Sequence, residues 1–518
     1  LSRGLLSTWA PAPLRGLLGR SAPRLPFPLE EPGCRLYEWG RDGLWHGLAA
    51  VGLSPGDEVL VPAYHHGSEV AALEDRGLRC RFYEATPSLE PDREELEEKI
   101  GPKTRALYLI HYLGFGLDAP GWRSWCDERG LLLIEDVAMA WPAEREGVPL
   151  GSWGDLSFYS PWKLHGLPDG GAVVCRGRVA PPAVRARWAV PRGLLLRALG
   201  RGLAQRSRLL GRAWASRSPA RWDPAAEFSV PAPWNGASRV SLHMLRRCDA
   251  SAAAAARRRH QARIVERLRP HVAAPFATSV EGPCPFGVPV TTPDPVGLMR
   301  HLRERGIIAI HFWSVPHPRL PVDDFPAAAR RRATTVVLPV HQELDDSDVE
   351  RIAGAVLEFV AKGESGAMSA EKAPSFALLD KDGETVSLEM LNGKRVVLYF
   401  YPEADTPGCT AQACGIRDHH AEIAARGAVA IGVSPDSPEK LSAFADRYGL
   451  PFTLLSDPGG RVARSYGAWK RSRRPPFRGE TQRSTFLIGP AGAIEEVFEG
   501  VDPATHDQLV LDALDSPS

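Results

Sequence analysis

Val396-Val-Leu-Tyr-Phe-Tyr401 followed by Pro402-Glu403-Ala404-Asp405-Thr406-Pro407-Gly408-Cys409-Thr410, with Cys414 five residues beyond Cys409, is the most informative stretch of this chain. The run from Val396 to Tyr401 is apolar and aromatic throughout, which predicts a buried strand. Thr406-Pro407-Gly408 suits a turn that enters a helix. Cys409 is therefore expected where a strand hands over to a helix, with a threonine three residues before it and a second cysteine five residues after it.

That placement suits one kind of chemistry. A thiol reduces a peroxide only as the thiolate. The unpaired N–H groups and the macrodipole of a helix N-terminus favour an anion, and a nearby guanidinium adds to the effect. Arg483, directly before the strand-like Ser484-Thr-Phe-Leu-Ile488, is the candidate cation. The Thr406 hydroxyl can both donate and accept a hydrogen bond, so it could hold a peroxide beside the sulfur. Attack on the O–O bond leaves a sulfenic acid, which a second thiol condenses to a disulfide. Cys414 is the candidate resolving thiol. Residues five apart in an α-helix have Cα atoms about 8–9 Å apart, beyond the roughly 7 Å that a disulfide tolerates. The helix must therefore unwind in each turnover, and the oxidised form is expected to be the less ordered one. The plain alternative is a pair of structural cysteines. A zinc site lacks a second ligand pair.

Composition sets wider bounds. The chain has 518 residues, too many for one core, so several domains are expected. Lys and Arg number 63 and Asp and Glu 62, so no global charge calls for nucleic acid. The 8 cysteines are sparse and, apart from Cys409 and Cys414, scattered, as in a reducing compartment. No apolar run is long enough to span a bilayer. Residues 1–32 form an N-terminal extension without the continuous apolar core of a signal peptide, and the cytoplasm is the expected location. The first residue is Leu1, as expected of a chain whose start lies upstream.

Three regions separate. From about Gly33 to Cys175, strand-like runs (Glu58–Pro62, Ala106–Ile110, Leu131–Glu135) alternate with helical stretches, which predicts a mostly parallel α/β sheet. A second region, Arg176 to Lys362, opens with the arginine-dominated Pro191–Arg217. It predicts a solvated helix with its apolar face on its own domain; a membrane-surface or polyanion contact is the alternative. Thr335–Pro339 reads as a strand and Ser347–Val360 as a helix. Residues 363–373, small and polar around Met368, read as a linker, of either a natural fusion or two joined reading frames. The third region, 374–518, has strand candidates at Val396–Tyr401, Val429–Val433, Phe452–Leu455, Thr485–Ile488 and Ile494–Phe498.

Residues 374–514 resemble the PrxQ, or bacterioferritin comigratory protein, type of peroxiredoxin. The resemblance rests on Pro402, Thr406 and Cys409, on Cys414, and on Gly432-Val-Ser-Pro-Asp-Ser437, Leu455-Ser-Asp457 and Arg483-Ser-Thr-Phe486. It implies a thioredoxin-like fold and a peroxidase acting on hydrogen peroxide and organic hydroperoxides. It also implies thioredoxin or a similar dithiol as reductant, and neither metal nor haem.

Asp136 ends the apolar run Leu131-Leu-Leu-Ile-Glu-Asp136, at the carboxyl end of a strand, where α/β sheets place ligands. Lys163 follows in Phe158-Tyr-Ser-Pro-Trp-Lys163. A lysine amine can hold pyridoxal phosphate as a Schiff base, and a carboxylate can pair with the pyridinium nitrogen. Residues 33–362 resemble the DegT/StrS-type sugar aminotransferases, enzymes of fold-type I that use pyridoxal 5'-phosphate. The match is carried by Gly52-Leu-Ser-Pro-Gly-Asp-Glu-Val-Leu-Val-Pro-Ala-Tyr64, Ile100-Gly-Pro-Lys-Thr-Arg-Ala106, Ile134-Glu-Asp136, Gly151-Ser-Trp-Gly-Asp155 and Asp169-Gly-Gly171. It implies a large three-layer domain (33–250), a small α+β domain (251–362) and a homodimer. Lys163 would be the Schiff-base lysine, Asp136 the pyridine partner, and His66 the ring that stacks on the cofactor. Gly40-Arg41-Asp42 would open a helix facing the phosphate. Asn235 and Ser238 lie where the family often supplies residues to the neighbouring subunit. The chain departs from the pattern at Met139, where glutamine is usual, at Gly40-Arg41-Asp42, which replaces a Ser/Thr-rich turn, and at Phe158, where serine is usual. Two alternatives follow: a non-catalytic binding or dimerisation scaffold, or an aminotransferase with an accessory peroxidase domain.

Overall fold

The computed structural model describes residues 5–12, 24–176, 180–188, 190, 192–207, 210–211, 224, 228–231, 236–273, 275–278, 282–368, 372–470, 480–503 and 505–515. The chain divides into two compact units, Leu1–Val360 and Ala361–Ser518.

The first unit is built on a seven-stranded sheet in the order Arg35–Tyr37, Gly171–Cys175, Leu156–Tyr159, Leu132–Val137, Thr104–Ile110, Glu58–Pro62, Arg79–Tyr83. The last five of these run parallel, and Gly171–Cys175 is antiparallel to its neighbours. The inner parallel strands are largely apolar because both faces are covered, and Thr104–Ile110 is buried at every position but Arg105, whereas the edge strand Arg79–Tyr83 exposes both its arginines. Helices at Gly40–Ala50, Ser68–Asp75, Arg93–Lys99 and Ala119–Arg129 accompany the strands. Asp92 caps the third by accepting from the amides of Glu94 and Glu95. Gly130, at φ 65°, ends the fourth in the left-handed region. The carboxyl ends of the parallel strands place Pro62, Ile110, Val137 and Tyr159 along one edge of the sheet.

A three-stranded antiparallel sheet, Gly287–Thr291, Thr335–Pro339 and Ile310–His311, completes this unit with helices Ala250–Leu268, Pro295–Glu304 and Pro326–Thr334. One apolar cluster runs through both sheets, from Leu133 and Ile134 to Ile264, Val288, Val337 and Ile352. The N-terminal residues, for which the sequence carries no element signal, are woven in. Leu6–Ser7 pairs in parallel with Ile307–Ile308, the Thr8 hydroxyl donates to the Ile308 and Val337 carbonyls, and Trp9 stacks on Trp162 at 5.3 Å.

The second unit has a seven-stranded sheet in the order Thr385–Ser387, Ala377–Asp380, Thr453–Ser456, Ala428–Ser434, Arg395–Phe400, Ser484–Ile488, Ile494–Glu499. Arg395–Phe400 is an inner strand, parallel to Ala428–Ser434 and antiparallel to Ser484–Ile488. The period-two alternation of a strand divides its side chains between two cores. Val397, Tyr399 and Tyr401 pack with Ala413, Ile416, Leu441, Phe444 and Leu511. Val396, Leu398 and Phe400 pack on the other face with Ile431, Val433, Leu455 and Val462.

The five strands expected in this unit form within a residue or two of their predicted bounds, and the hairpin Ala377–Asp380 and Thr385–Ser387 adds two strands beyond them. Residues 363–368 differ from the structureless linker expected of them, because the helix from Asp346 runs to Met368. That helix is anchored by buried Val349, Ile352, Ala353 and Val356, and once nucleated it extends through small and polar residues at little cost per residue. Asn235 lies outside the described residues.

Candidate active sites

The strand Arg395–Phe400 ends two residues before Pro402, and Asp405 takes a left-handed φ of 64° to turn the chain. Arg447 donates to one Asp405 carboxylate oxygen at 2.6 Å and the Tyr448 hydroxyl to the other at 2.7 Å, which holds the turn. The helix Pro407–Asp418 begins with Thr406 at its N-cap and Pro407 in its first turn. The Thr406 hydroxyl does not cap the helix; it donates to the Glu403 carbonyl at 3.0 Å, which leaves its lone pairs for another donor. Pro402 and Thr406 are half-buried beside it.

Cys409 is buried in the first turn of this helix. Arg483 arrives from the start of the strand Ser484–Ile488, with Nη2 at 3.5 Å from the Cys409 sulfur. A Cβ added at Gly408 would lie 3.3 Å from the same Nη2, so glycine keeps the approach of the guanidinium open. Cys414 is half-buried on the same helix, and both cysteines are free thiols.

Behind Arg483 stands a set of side chains that sequence reasoning missed. Arg483 Nη1 donates to Gln412 Oε1 at 2.5 Å, Gln412 Nε2 lies 3.2 Å from His506 Nδ1, and His506 Nε2 lies 2.8 Å from Thr485 Oγ1. Because the Gln412 amide donates to Nδ1, the His506 proton sits on Nε2 and is donated to Thr485. Burial holds the His506 imidazole down to about 4, and the Arg483 charge adds to that. Gln412 carries a readable signal: it lies three residues from Cys409, hence on the same helix face, and is polar beside buried Ala413 and Ile416. His506, a hundred residues on in another helix, carries none.

The second site lies at the carboxyl ends of the parallel strands of the first unit. Asp136 pairs in register with Phe158 of the neighbouring strand, and Lys163 follows five residues later in the short helix Trp162–His165. The Tyr108 hydroxyl donates to Asp136 Oδ2 at 3.0 Å and the Ala138 amide to Oδ1 at 2.9 Å. Burial raises the Asp136 carboxyl above its usual range, against the pull of the Ala138 amide and the Lys163 ammonium. His66 lies within reach of the Lys163 and Arg41 charges; burial first, then those cations, hold its imidazole down to about 3.

Gly40 opens the helix Gly40–Ala50 hard against the exit of the strand that leads to Lys163. A Cβ there would lie 2.6 Å from Ser160 Oγ and 2.8 Å from the Tyr159 carbonyl, so only glycine fits. Asp42 accepts from the Trp39 amide at 3.1 Å and closes its own helix turn, and burial raises its carboxyl to about 7. Ser238 belongs to a separate cluster, donating through both its amide and its hydroxyl to buried Asp169, which also pairs with Arg187.

Residues without a sequence signal support this site too. Glu135, fully buried, accepts from the amides of Gly151, Trp153 and Gly154 and from His111 Nε2 at 2.9 Å, fixing the strand that carries Asp136. Arg257, also fully buried, donates to the Leu164 carbonyl at 2.7 Å and to Gln342 Oε1 at 3.0 Å, clamping the turn of Lys163. Glu69 accepts from the amides of His66 and Gly67, and burial and the Asp136 charge raise it to about 7.

The model of the AhpC/TSA family matches residues 370–497, and the model of the DegT/DnrJ/EryC1/StrS aminotransferase family matches residues 39–185. A putative peroxiredoxin bcp of Haemophilus influenzae is 44% identical over 149 residues, which cover 28% of this chain and 94% of that protein. Peroxiredoxin Bcp of Escherichia coli is 46% identical over 146 residues, 27% of this chain and 92% of that protein. Among solved structures, an aminotransferase of Streptoalloteichus hindustanus is 25% identical, covers 64% of this chain and 87% of its own, and has a TM-score of 0.47. The chain belongs, by its C-terminal unit, to the Bcp-type peroxiredoxins, and carries ahead of that unit one of the DegT/DnrJ/EryC1/StrS aminotransferase type.

Proposed function

We propose that the second unit is a thiol peroxidase working through Cys409 and Cys414. The observation that carries this reading is the Arg483 guanidinium 3.5 Å from the Cys409 sulfur in the first turn of a helix. The thiolate attacks one peroxide oxygen; the O–O bond breaks, the sulfur takes the oxygen as a sulfenic acid, and the other oxygen leaves with a proton as water or an alcohol. Thr406 and Arg483 hold the peroxide and stabilise the charge on the departing oxygen. The Cys414 thiol then displaces water from the sulfenic acid to give a Cys409–Cys414 disulfide. Thioredoxin, or a dithiol like it, returns both sulfurs to thiols. Pro402 shapes the entry to the turn.

Cys409→Ser is expected to abolish peroxide consumption coupled to thioredoxin. Cys414→Ser is expected to consume one equivalent of peroxide and then stall. Full turnover by Cys409→Ser would remove the assignment.

The first unit fits pyridoxal 5'-phosphate. Lys163 would hold its aldehyde carbon, Asp136 its ring nitrogen, His66 its ring face, and the helix start at Gly40-Arg41 its phosphate. Two features support the fit: Asp136 is fixed by Tyr108 and Ala138 facing the Lys163 charge, and Gly40 admits no side chain at the helix start. When bound, the cofactor supplies an electron sink for chemistry at an amine carbon. Asp136 would set its carboxyl against the ring nitrogen, Lys163 supplies an amine that takes up and gives back a proton, and Arg257 holds the turn that carries it. The test is the visible spectrum of the purified chain with added cofactor, followed by borohydride reduction and peptide mass analysis. Label on Lys163, absent from Lys163→Ala, is expected. A colourless chain with no label would favour the scaffold reading, in which the unit binds or dimerises without turnover.

A further inference from the structure

Between Gly170 and Trp222 the sequence carries twelve arginines and neither aspartate nor glutamate. Within this stretch runs the helix Arg192–Arg206. Among its described side chains, Ala198, Gly202, Ala204 and Gln205 are buried, and the Gln205 amide donates to the Trp9 carbonyl at 2.9 Å. Leu196 and Leu203 lie seven residues, or two turns, apart and so share one stripe. That stripe is about 200° around the helix from Ala198 and Gln205. They are 69% and 52% exposed, and Leu210, seven further on, is 50% exposed. Trp188, on the approach to the helix, is 79% exposed.

We infer that this helix is an interfacial anchor that lays its leucine stripe on an anionic lipid surface. Large apolar side chains turned outward need a partner that removes them from water. Arg187 pairs with Glu38 and Asp169 and Arg201 lies over the Trp9 ring, but the other arginines of the stretch, with no acidic residue among them, make it complementary to an anionic bilayer surface, where apolar burial and electrostatic attraction act together. A second copy of the chain suits it less: where the segment meets itself across a two-fold axis, its arginines find no acidic residue within the segment to answer them. Nucleic acid would match the arginines but gives the leucine stripe nothing to enter.

The test uses the full chain and sedimentation with two kinds of vesicle, one of phosphatidylcholine mixed with phosphatidylglycerol and one of phosphatidylcholine alone. The unaltered chain is expected to bind the mixed vesicles, to release as salt screens the charges, and to ignore the neutral ones. Leu196→Ser with Leu203→Ser, both on the exposed face, is expected to weaken binding about tenfold or more while leaving peroxide reduction unchanged. Equal binding of both vesicles, no binding of either, or undiminished binding by the double variant would overturn the proposal. So would a dimer that the double variant dissociates without any vesicle binding, or duplex DNA binding that outcompetes the mixed vesicles.

Discussion

At the scale of single residues, Arg483 decides the thiol site because its planar fork reaches two partners at once, Cys409 and Gln412. Lysine has one point charge and cannot hold both. Arg483→Lys is expected to slow oxidation of Cys409 by peroxide about a hundredfold, the scale of losing one aligned donor to developing charge. Stopped-flow fluorescence with substoichiometric peroxide would measure it, and an unchanged rate would remove Arg483 from the site. His506 adds a pH dependence. Its imidazole is held down to about 4 by burial, against an ordinary value of 6.5. Below 6.5 the unfolded chain takes up a proton that the folded chain refuses until about pH 4. Stability therefore rises with pH across that interval and is flat above it. The whole effect is on the order of 3 kcal/mol. Protonation on Nδ1 would also face the Gln412 amide and turn it from Arg483. The amide protection factors of the helix His506–Asp515, taken relative to the intrinsic exchange rate at each pH, are expected to fall from pH 6.5 to 4, and His506→Gln to flatten that slope. Legibility follows the same divide. Cys409, Thr406 and Arg483 were readable because each sits at a strand or helix boundary with local signals. His506 was not, because its role arises only when the last helix folds back on the first.

At the scale of elements, the helix Pro407–Asp418 holds Cys409 and Cys414 five residues apart, and both are thiols in this folded form. Its regular winding keeps their Cα atoms about 8–9 Å apart, too far for a disulfide. Oxidation that joins them must open at least one turn and draw Cys409 away from Arg483. Amide protection across residues 407–418 is therefore expected to fall on stoichiometric oxidation and to return with dithiol. In Cys414→Ser, protection should persist after oxidation. Unchanged protection in the oxidised parent chain would point to another partner thiol. The strands of this unit were legible because apolar runs such as Val396–Tyr401 fill two cores. The hairpin 377–387 was not, since its burial alternates weakly and its turn, with Gly383 at φ 83°, has only local chemistry to announce it. Helical periodicity tells that a face exists, but not which face the fold will cover.

At the scale of the whole molecule, two units with separate cores carry two separate sets of chemistry-bearing residues. Leu133, Ile134 and Val337 belong to one apolar cluster, and Tyr399, Ala413 and Leu511 to another that contains Cys409. Sites whose residues share no packing or hydrogen-bonded partner respond additively to substitution. Lys163→Ala is therefore expected to abolish borohydride-trapped pyridoxal label while leaving the second-order rate of peroxide reduction within about twofold of the parent. Cys409→Ser is expected to do the converse. The combined variant should show both losses and no more, and its two unfolding transitions should match those of the single variants. A double-variant cycle measures the outcome directly. A peroxide rate in Lys163→Ala that falls by tenfold or more, with the C-terminal transition unmoved, would show that cofactor state in the first unit controls the thiol site of the second.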